Sequence, residues 1–300
     1  VILEKTDENI LLIRGIISGD ESVPQGWGCK RNSRGYLHGR RRMIMDGNEW
    51  KAAIKTFITD YVREYPDKND LPHLWRKPLV GYADAFDPYI QRLPEIVTEV
   101  HRLPQDIMEE PKVVICYFIP FTRELERTNV GVENNAASES WAQAYKITNR
   151  MMAGLNEALA NEIVRLGGRA AVPEGAGMLK ELLKSSWSQR HLAYAAGLGT
   201  FGINNMLISQ EGCCGRYNSI VADIPVEPGH HLEKENCLYK SRGICKKCVN
   251  NCFSGALTAE GFDREKCFAA CEKNLSVYGV DVCGKCDTNI PCAFTAPGSK

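Results

Sequence analysis

The chain has 300 residues, 44% hydrophobic and 25% charged, with 37 basic side chains balanced by 37 acidic ones. The length suits one large domain plus a small one, and the composition is that of an ordinary globular chain. Zero formal net charge supplies no global field toward nucleic acid or an anionic membrane, and no run reaches the roughly 18 apolar residues of a membrane helix.

The first residues, Val1-Ile2-Leu3-Glu4-Lys5, lack a basic stretch ahead of an apolar core, so no secretory signal is expected, although without an initiator Met a trimmed leader stays open. Residues 1–48 read as irregular, interrupted by Gly15, Gly19, Pro24, Gly26, Gly28, Gly35 and Gly39. They carry a basic cluster, Lys30, Arg31, Arg34 and Arg40–Arg42, which reads as a solvated loop or, alternatively, as a phosphate or RNA contact. Trp50 to Tyr65 predicts a helix with Ala53, Ile54, Phe57, Ile58 and Tyr61 on one face, ended by Pro66. Strands are expected at Leu79–Ala83 and, fully buried, at Val113–Phe118. A long helix follows from Trp141 to Leu166, capped by Ser138 or Ser140 and closed by Gly167-Gly168. Ala170–Val172 reads as a strand, Met178–Ala196 as a second helix and Ser219–Val226 as a strand. Strands alternating with helices predict a layered α+β sandwich. Pro225, Pro228 and Gly229 mark its end, giving three segments: a 1–75 extension, a 76–228 α+β domain and a 229–300 cysteine module.

Only Cys29 and Cys116 precede Cys213, so eleven of the 13 cysteines fall in the last third of the chain. Disulfide scaffolds are short and spread their cysteines throughout. This distribution instead indicates a metal module on an ordinary domain in a reducing, cytoplasmic compartment. The run Cys237-x7-Cys245-x2-Cys248-x3-Cys252, followed by Cys267, Cys271 and Cys283-x2-Cys286-x5-Cys292, follows the bacterial two-cluster ferredoxin pattern. Two thiolates separated by two residues reach adjacent irons from one turn, and the next step sends the last cysteine to the neighbouring cluster. Two departures stand out. Arg242 occupies the position of the expected first cysteine, so Cys237 must reach in over a looped-out 238–244, and Phe253 replaces the usual proline. The expected assignment is Cys237, Cys245, Cys248 and Cys292 to one [4Fe–4S] cluster and Cys252, Cys267, Cys283 and Cys286 to a second. Cys271 is left as a spare or as an alternative to Cys267. Zinc on the Cys-x2-Cys pairs is the competing reading. Adjacent Cys213 and Cys214 read as buried small residues lining a site.

The stretch Ala196-Gly197-Leu198-Gly199-Thr200-Phe201-Gly202-Ile203-Asn204-Asn205-Met206-Leu207-Ile208, joined to this tail, resembles the A-G-L-G-x-x-G-K-x-x-L-L-I segment of epoxyqueuosine reductase, a cobalamin-dependent iron–sulfur family related to the reductive dehalogenases. The resemblance spans about residues 78–295. It implies a nitroreductase-like α/β sandwich followed by a ferredoxin-like double-cluster module, a corrinoid (cobalamin) between them, and electrons passing through the clusters to cobalt. Gly197, Leu198, Gly199, Thr200, Phe201 and Gly202 would then lie against the corrinoid, the glycines allowing close backbone approach; a helix cap is the alternative. Arg190 and His191 are candidates to hold a carboxylate, a phosphate or a corrin amide. Where the family has a D-Y-H acid triplet, this chain has Ala144-Tyr145-Lys146, and Ile203 replaces the family's Lys. Epoxyqueuosine reduction is therefore not expected. Tyr145 beside Lys146 is a substitute proton donor, or else a packing Tyr beside a surface Lys.

Three functions stay open at this level. One is a corrinoid-dependent reductase acting on a small molecule. Another is a carrier, or an activator of a separate corrinoid protein, without substrate chemistry of its own. The third, disfavoured by charge and the missing acid, is a tRNA-binding reductase. The first two call for an electron donor of ferredoxin or flavodoxin type.

Overall fold

Asp46 starts the first described helix with a reciprocal cap. Its carboxylate accepts from the Asn48 and Glu49 amides at 2.8 and 2.9 Å, and the Glu49 carboxylate accepts from the Asp46 amide at 2.8 Å. The computed structural model describes residues 45–131, 137–175 and 177–299. The N-terminal basic cluster, Cys29 and most of the expected 1–75 extension lie outside the described residues. Helix α1 (Gly47–Lys68) buries Trp50, Ile54, Ile58, Val62 and Pro66, one residue per turn. It runs through Pro66 rather than ending there, and closes when the Asn69 and Leu71 amides both donate to the Pro66 carbonyl. A proline within the last turn removes one donor without preventing that closure.

The sheet consists of β1 (Leu79–Asp84), β2 (Val113–Pro120), β3 (Arg169–Ala171) and β4 (Gly215–Asp223), ordered β1-β2-β4-β3 with every pair antiparallel. All eight residues of β2 are buried. Strand alternation explains how one strand serves two cores. Val113, Ile115, Tyr117 and Ile119 face α1 and α2 (Glu139–Leu166), while Val114, Cys116 and Phe118 face Trp187, Leu192 and Ala193. The result is a mixed α/β layering with a central antiparallel sheet. Ser138 caps α2 by accepting from the Trp141 amide, and Gly167, at φ 100°, ends it.

The expected 178–196 helix is mostly absent. Met178–Leu179 pairs with Lys184–Ser185 as a short antiparallel ribbon, and only α3 (Gln189–Ala195) is helical. Trp187 supplies the reason: its indole is 1% exposed and donates to Ser219 Oγ on β4 at 3.0 Å. Drawing that ring into the core costs the preceding turns their helix, a tertiary override of a weak local preference.

The cysteine segment adds α4 (Leu238–Arg242), α5 (Lys247–Asn251) and α6 (Arg264–Tyr278). A third core joins it to the sheet layer, with Phe121, Trp141, Ile208 and Cys213 packed in one cluster with Cys237, Cys248, Leu257 and Val282. Beside it, the Cys213 and Cys214 amides donate to the carbonyls of Cys292 and Ala293 at 2.9 and 3.0 Å, tying the C-terminal strap to the start of β4. Segment Ile44–Lys300 is accordingly one compact unit.

Candidate functional site

Three cysteines close in sequence and a fourth some 44 residues on meet around one small cavity. Cys237, Cys245, Cys248 and Cys292 line a space of about 20 Å³ whose remaining wall includes Ile203, Leu238, Ile290 and Pro291. Cys237 caps α4, and Gly243, at φ 71°, ends that helix so that Cys245 turns back toward Cys248 on α5. The expected loop at 238–244 is thus a helical turn that brings Cys237 into place without the missing first cysteine. Burial pushes the Cys248 thiol up to about 12, with nearby Cys292 adding to the effect.

Cys252, Cys267, Cys271, Cys283 and Cys286 all line a much larger cavity of about 960 Å³. Cys267 and Cys271, one turn apart on α6, share a hydrogen bond that lowers the Cys267 thiol to about 7 and raises that of Cys271. Burial raises Cys283 to about 11. The Leu257 amide points at Cys252 Sγ, 3.4 Å away, which gives the Cys252–Leu257 turn a sulfur-directed donor.

The Cys283–Cys286 turn is held by asparagines from elsewhere in the chain. Asn129 Nδ2 donates to the Cys283 carbonyl at 2.9 Å, Asn204 Nδ2 to the Cys286 carbonyl at 3.0 Å, and Asn274 Nδ2 to the Val282 carbonyl at 2.7 Å. These holders, together with Asp287, were not visible in the sequence, because lone Asn and Asp residues carry no spacing signal. Asp287 is buried, and burial lifts its carboxyl to about 7. Among the described residues, no group of three or more His, Cys, Asp or Glu is arranged to hold a single metal ion.

Other polar groups on the large cavity come from the sheet layer: Tyr145 on α2, Arg190 on α3, and Arg216 and Asn218 on β4. The Arg216 guanidinium lies over the Tyr145 ring, 4.2 Å from its centroid. Arg190 Nη1 donates to the Asn205 carbonyl at 2.7 Å. Lys146, expected beside Tyr145, is not among the cavity's lining residues, and its ammonium instead approaches Gly279. The cation next to Tyr145 is therefore Arg216, which sequence adjacency could not reveal.

Gly197, Leu198, Gly199, Thr200, Phe201, Gly202 and His191 are not among the lining residues either. The close approaches at the glycines are to the chain itself: a Cβ at Gly197 would meet the His230 carbonyl, one at Gly199 the Ile208 carbonyl, and one at Gly202 the Asn204 side chain. Thr200 Oγ1 accepts from the Asn236 amide at 2.8 Å, so this segment secures the chain leading into the cysteine module. His191 sits among Tyr89, Phe201 and Ser188, with its Nδ1 2.7 Å from Ser188 Oγ. Of the expected cofactor-contacting residues, only Arg190 reaches the large cavity.

No protein-family model matches the chain, and no curated protein matches it in sequence. In structure it is similar to the catabolic reductive dehalogenase NpRdhA, with a TM-score of 0.53 and 17% identity over 83% of this chain and 32% of that one. The same enzyme in complex with 3-bromo-4-hydroxybenzoic acid gives the same values. Epoxyqueuosine reductase from Bacillus subtilis gives a TM-score of 0.46 and 17% identity over 79% of this chain and 66% of that one. The chain therefore spans about a third of the dehalogenase and 66% of the epoxyqueuosine reductase. At 17% identity the likeness to the dehalogenase is one of fold.

Proposed function

We propose that this chain is an iron–sulfur oxidoreductase. In this reading Cys237, Cys245, Cys248 and Cys292 hold one [4Fe–4S] cluster, and Cys252, Cys267, Cys283 and Cys286 a second. The residues lining the large cavity, Arg190 among them, would hold a corrinoid beside the second site. The observation that carries the proposal is the shared wall: thiols of the C-terminal segment and the polar groups Tyr145, Arg190 and Arg216 line one cavity of about 960 Å³. That volume is at the upper end for small-molecule pockets and exceeds what a simple electron carrier needs. A sulfur-only donor set in a ferredoxin-like spacing suits iron–sulfur chemistry.

Bound clusters supply one-electron transfer, and a bound corrinoid supplies the reducing metal centre. The chain's own residues do the rest. Residues 76–228 act as a nitroreductase-like platform and 229–300 as a ferredoxin-like module. Arg190 offers a charged anchor on the cavity wall. Arg216 fixes the Tyr145 ring by stacking, and the Tyr145 phenol holds the proton that the substrate takes up. Lys146 has no part in this step. Ala144, in the position of the family's acid, is 1% exposed and packed in the core, so epoxyqueuosine chemistry is not proposed. The substrate is a small molecule, and electrons arrive from a ferredoxin- or flavodoxin-type donor. No described helix is long and apolar enough to cross a membrane.

Elemental analysis of protein purified without oxygen from cobalamin-fed cells tests this reading. About eight Fe and one Co per chain are expected. Iron without cobalt turns the reading toward an electron carrier or an activator of a separate corrinoid protein. Zinc in place of iron refutes it.

A further inference from the structure

We propose that the surface over the first cysteine site docks an acidic one-electron donor protein, an inference that rests on reading that site as an iron–sulfur centre. Cys237 and Cys248 are buried, but Cys245 is partly exposed on the turn between Gly243 and Lys246. Backbone φ values of 71° at Gly243 and 83° at Cys245 turn the chain sharply on both sides of Ile244. That side chain is left 55% exposed. The route from the surface to the first site is thus a single turn of chain.

The charge around this turn is one-sided. From Leu238 to Asn251 the chain carries Lys240, Arg242, Lys246 and Lys247 and no acidic residue, and all four cations are exposed. Glu235, 3.8 Å from Lys240, offsets that cation, and the excess rests on Lys246 and Lys247. Because the whole chain is neutral, with 37 basic and 37 acidic side chains, this excess is local. An exposed aliphatic centre ringed by like charges has the core-and-rim form of a protein interface. Redox partners use small, transient interfaces of this kind, steered by complementary charge. The exposed isoleucine favours a protein partner over nucleic acid, since the nearby Tyr239 ring is already covered by the Lys246 ammonium, 5.4 Å from its centroid.

The test uses holoprotein with verified iron content and, as donor, a reduced acidic plant-type [2Fe–2S] ferredoxin. Second-order reduction rates are read by stopped flow at about 50 mM and about 300 mM salt. The wild-type rate should fall about tenfold as salt rises, and the Lys246→Glu/Lys247→Glu variant should lose about tenfold at low salt and almost nothing at high salt. A neutral photoreduced deazaflavin should reduce both proteins equally, and Lys273→Glu on α6 should behave as wild type. If the charge-reversed protein loses iron, the milder Lys246→Gln/Lys247→Gln variant takes its place, with about a threefold loss expected. Equal ferredoxin rates in iron-replete wild type and variant overturn the proposal, as does a turn that binds tRNA while ferredoxin reduction ignores the substitutions. Wild-type protein without iron would instead refute the underlying iron–sulfur reading, and the docking face with it.

Discussion

Gly284 packs directly against the indole of Trp141: a Cβ at this position would come within 2.5 Å of Trp141 Cε2, and the backbone sits at φ 74°. The turn bearing Cys283 and Cys286 is therefore moulded onto α2 of the sheet layer. Gly284→Ala combines a left-handed strain with a clash against a large ring, and should cost about 1–3 kcal/mol. The expected readout is a lower melting temperature together with loss of iron from one cluster. Gly261→Ala, in open space within the same segment, should leave both unchanged.

The two cysteine groups predict separable losses. Cys248→Ser and Cys286→Ser should each remove about four irons per chain, seen by iron assay and by the visible absorption of the clusters. Cys271→Ser should keep all eight. If Cys271→Ser loses iron while Cys252→Ser or Cys267→Ser does not, Cys271 replaces that residue in the second set.

Arg216 and Lys146 divide differently from what their sequence positions suggest. Arg216→Ala removes a cation from the cavity wall and the support of the Tyr145 ring. It should weaken corrinoid retention or turnover by about tenfold or more, since one charged contact is commonly worth that much. Tyr145→Phe should keep iron and cobalt while losing substrate reduction. Lys146→Ala should leave metal content, corrinoid retention and turnover close to wild type. Cobalt per chain, together with turnover over a panel of small-molecule electron acceptors, separates the three.

His191 makes the fold sensitive to acid. Burial, reinforced by Arg190 next to it, depresses the imidazole to about 4 from its ordinary 6.5. The folded state keeps it neutral, so below pH 6.5 the unfolded chain binds more protons and stability falls with pH down to about 4. Its contribution is fully present above 6.5 and is lost progressively through that window, with a slope of at most about 1.4 kcal/mol per pH unit. Denaturation midpoints at several pH values should show the slope reduced in His191→Gln. Parallel curves for the two proteins would refute the assignment.

The large elements were legible because they rest on local rules. Buried β-branched residues predicted β2, and Ser138 and Gly167 bracketed α2 at the expected places. The 178–196 segment was misread because its helical spacing is real but weaker than the pull of Trp187 into the core. Spacing also nominated the cysteines, since a short thiol spacing is itself a geometric statement. It gave no access to the holders of the Cys283–Cys286 turn: Asn129 is 154 residues from Cys283, a distance that only folding closes.

By itself, the sequence determined the chemistry on offer: a sulfur-rich tail, a chain of zero net charge, and an Ala rather than an acid just before Tyr145. These are properties of residue type and near spacing, and no packing can alter them. The tertiary structure decided which groups share a space. It put Arg216 rather than Lys146 beside Tyr145, because α2 carries successive side chains about 100° apart while a neighbouring strand brings a distant residue alongside. It turned Gly197, Gly199 and Gly202 toward their own chain, because close backbone approach serves packing as readily as it serves a ligand.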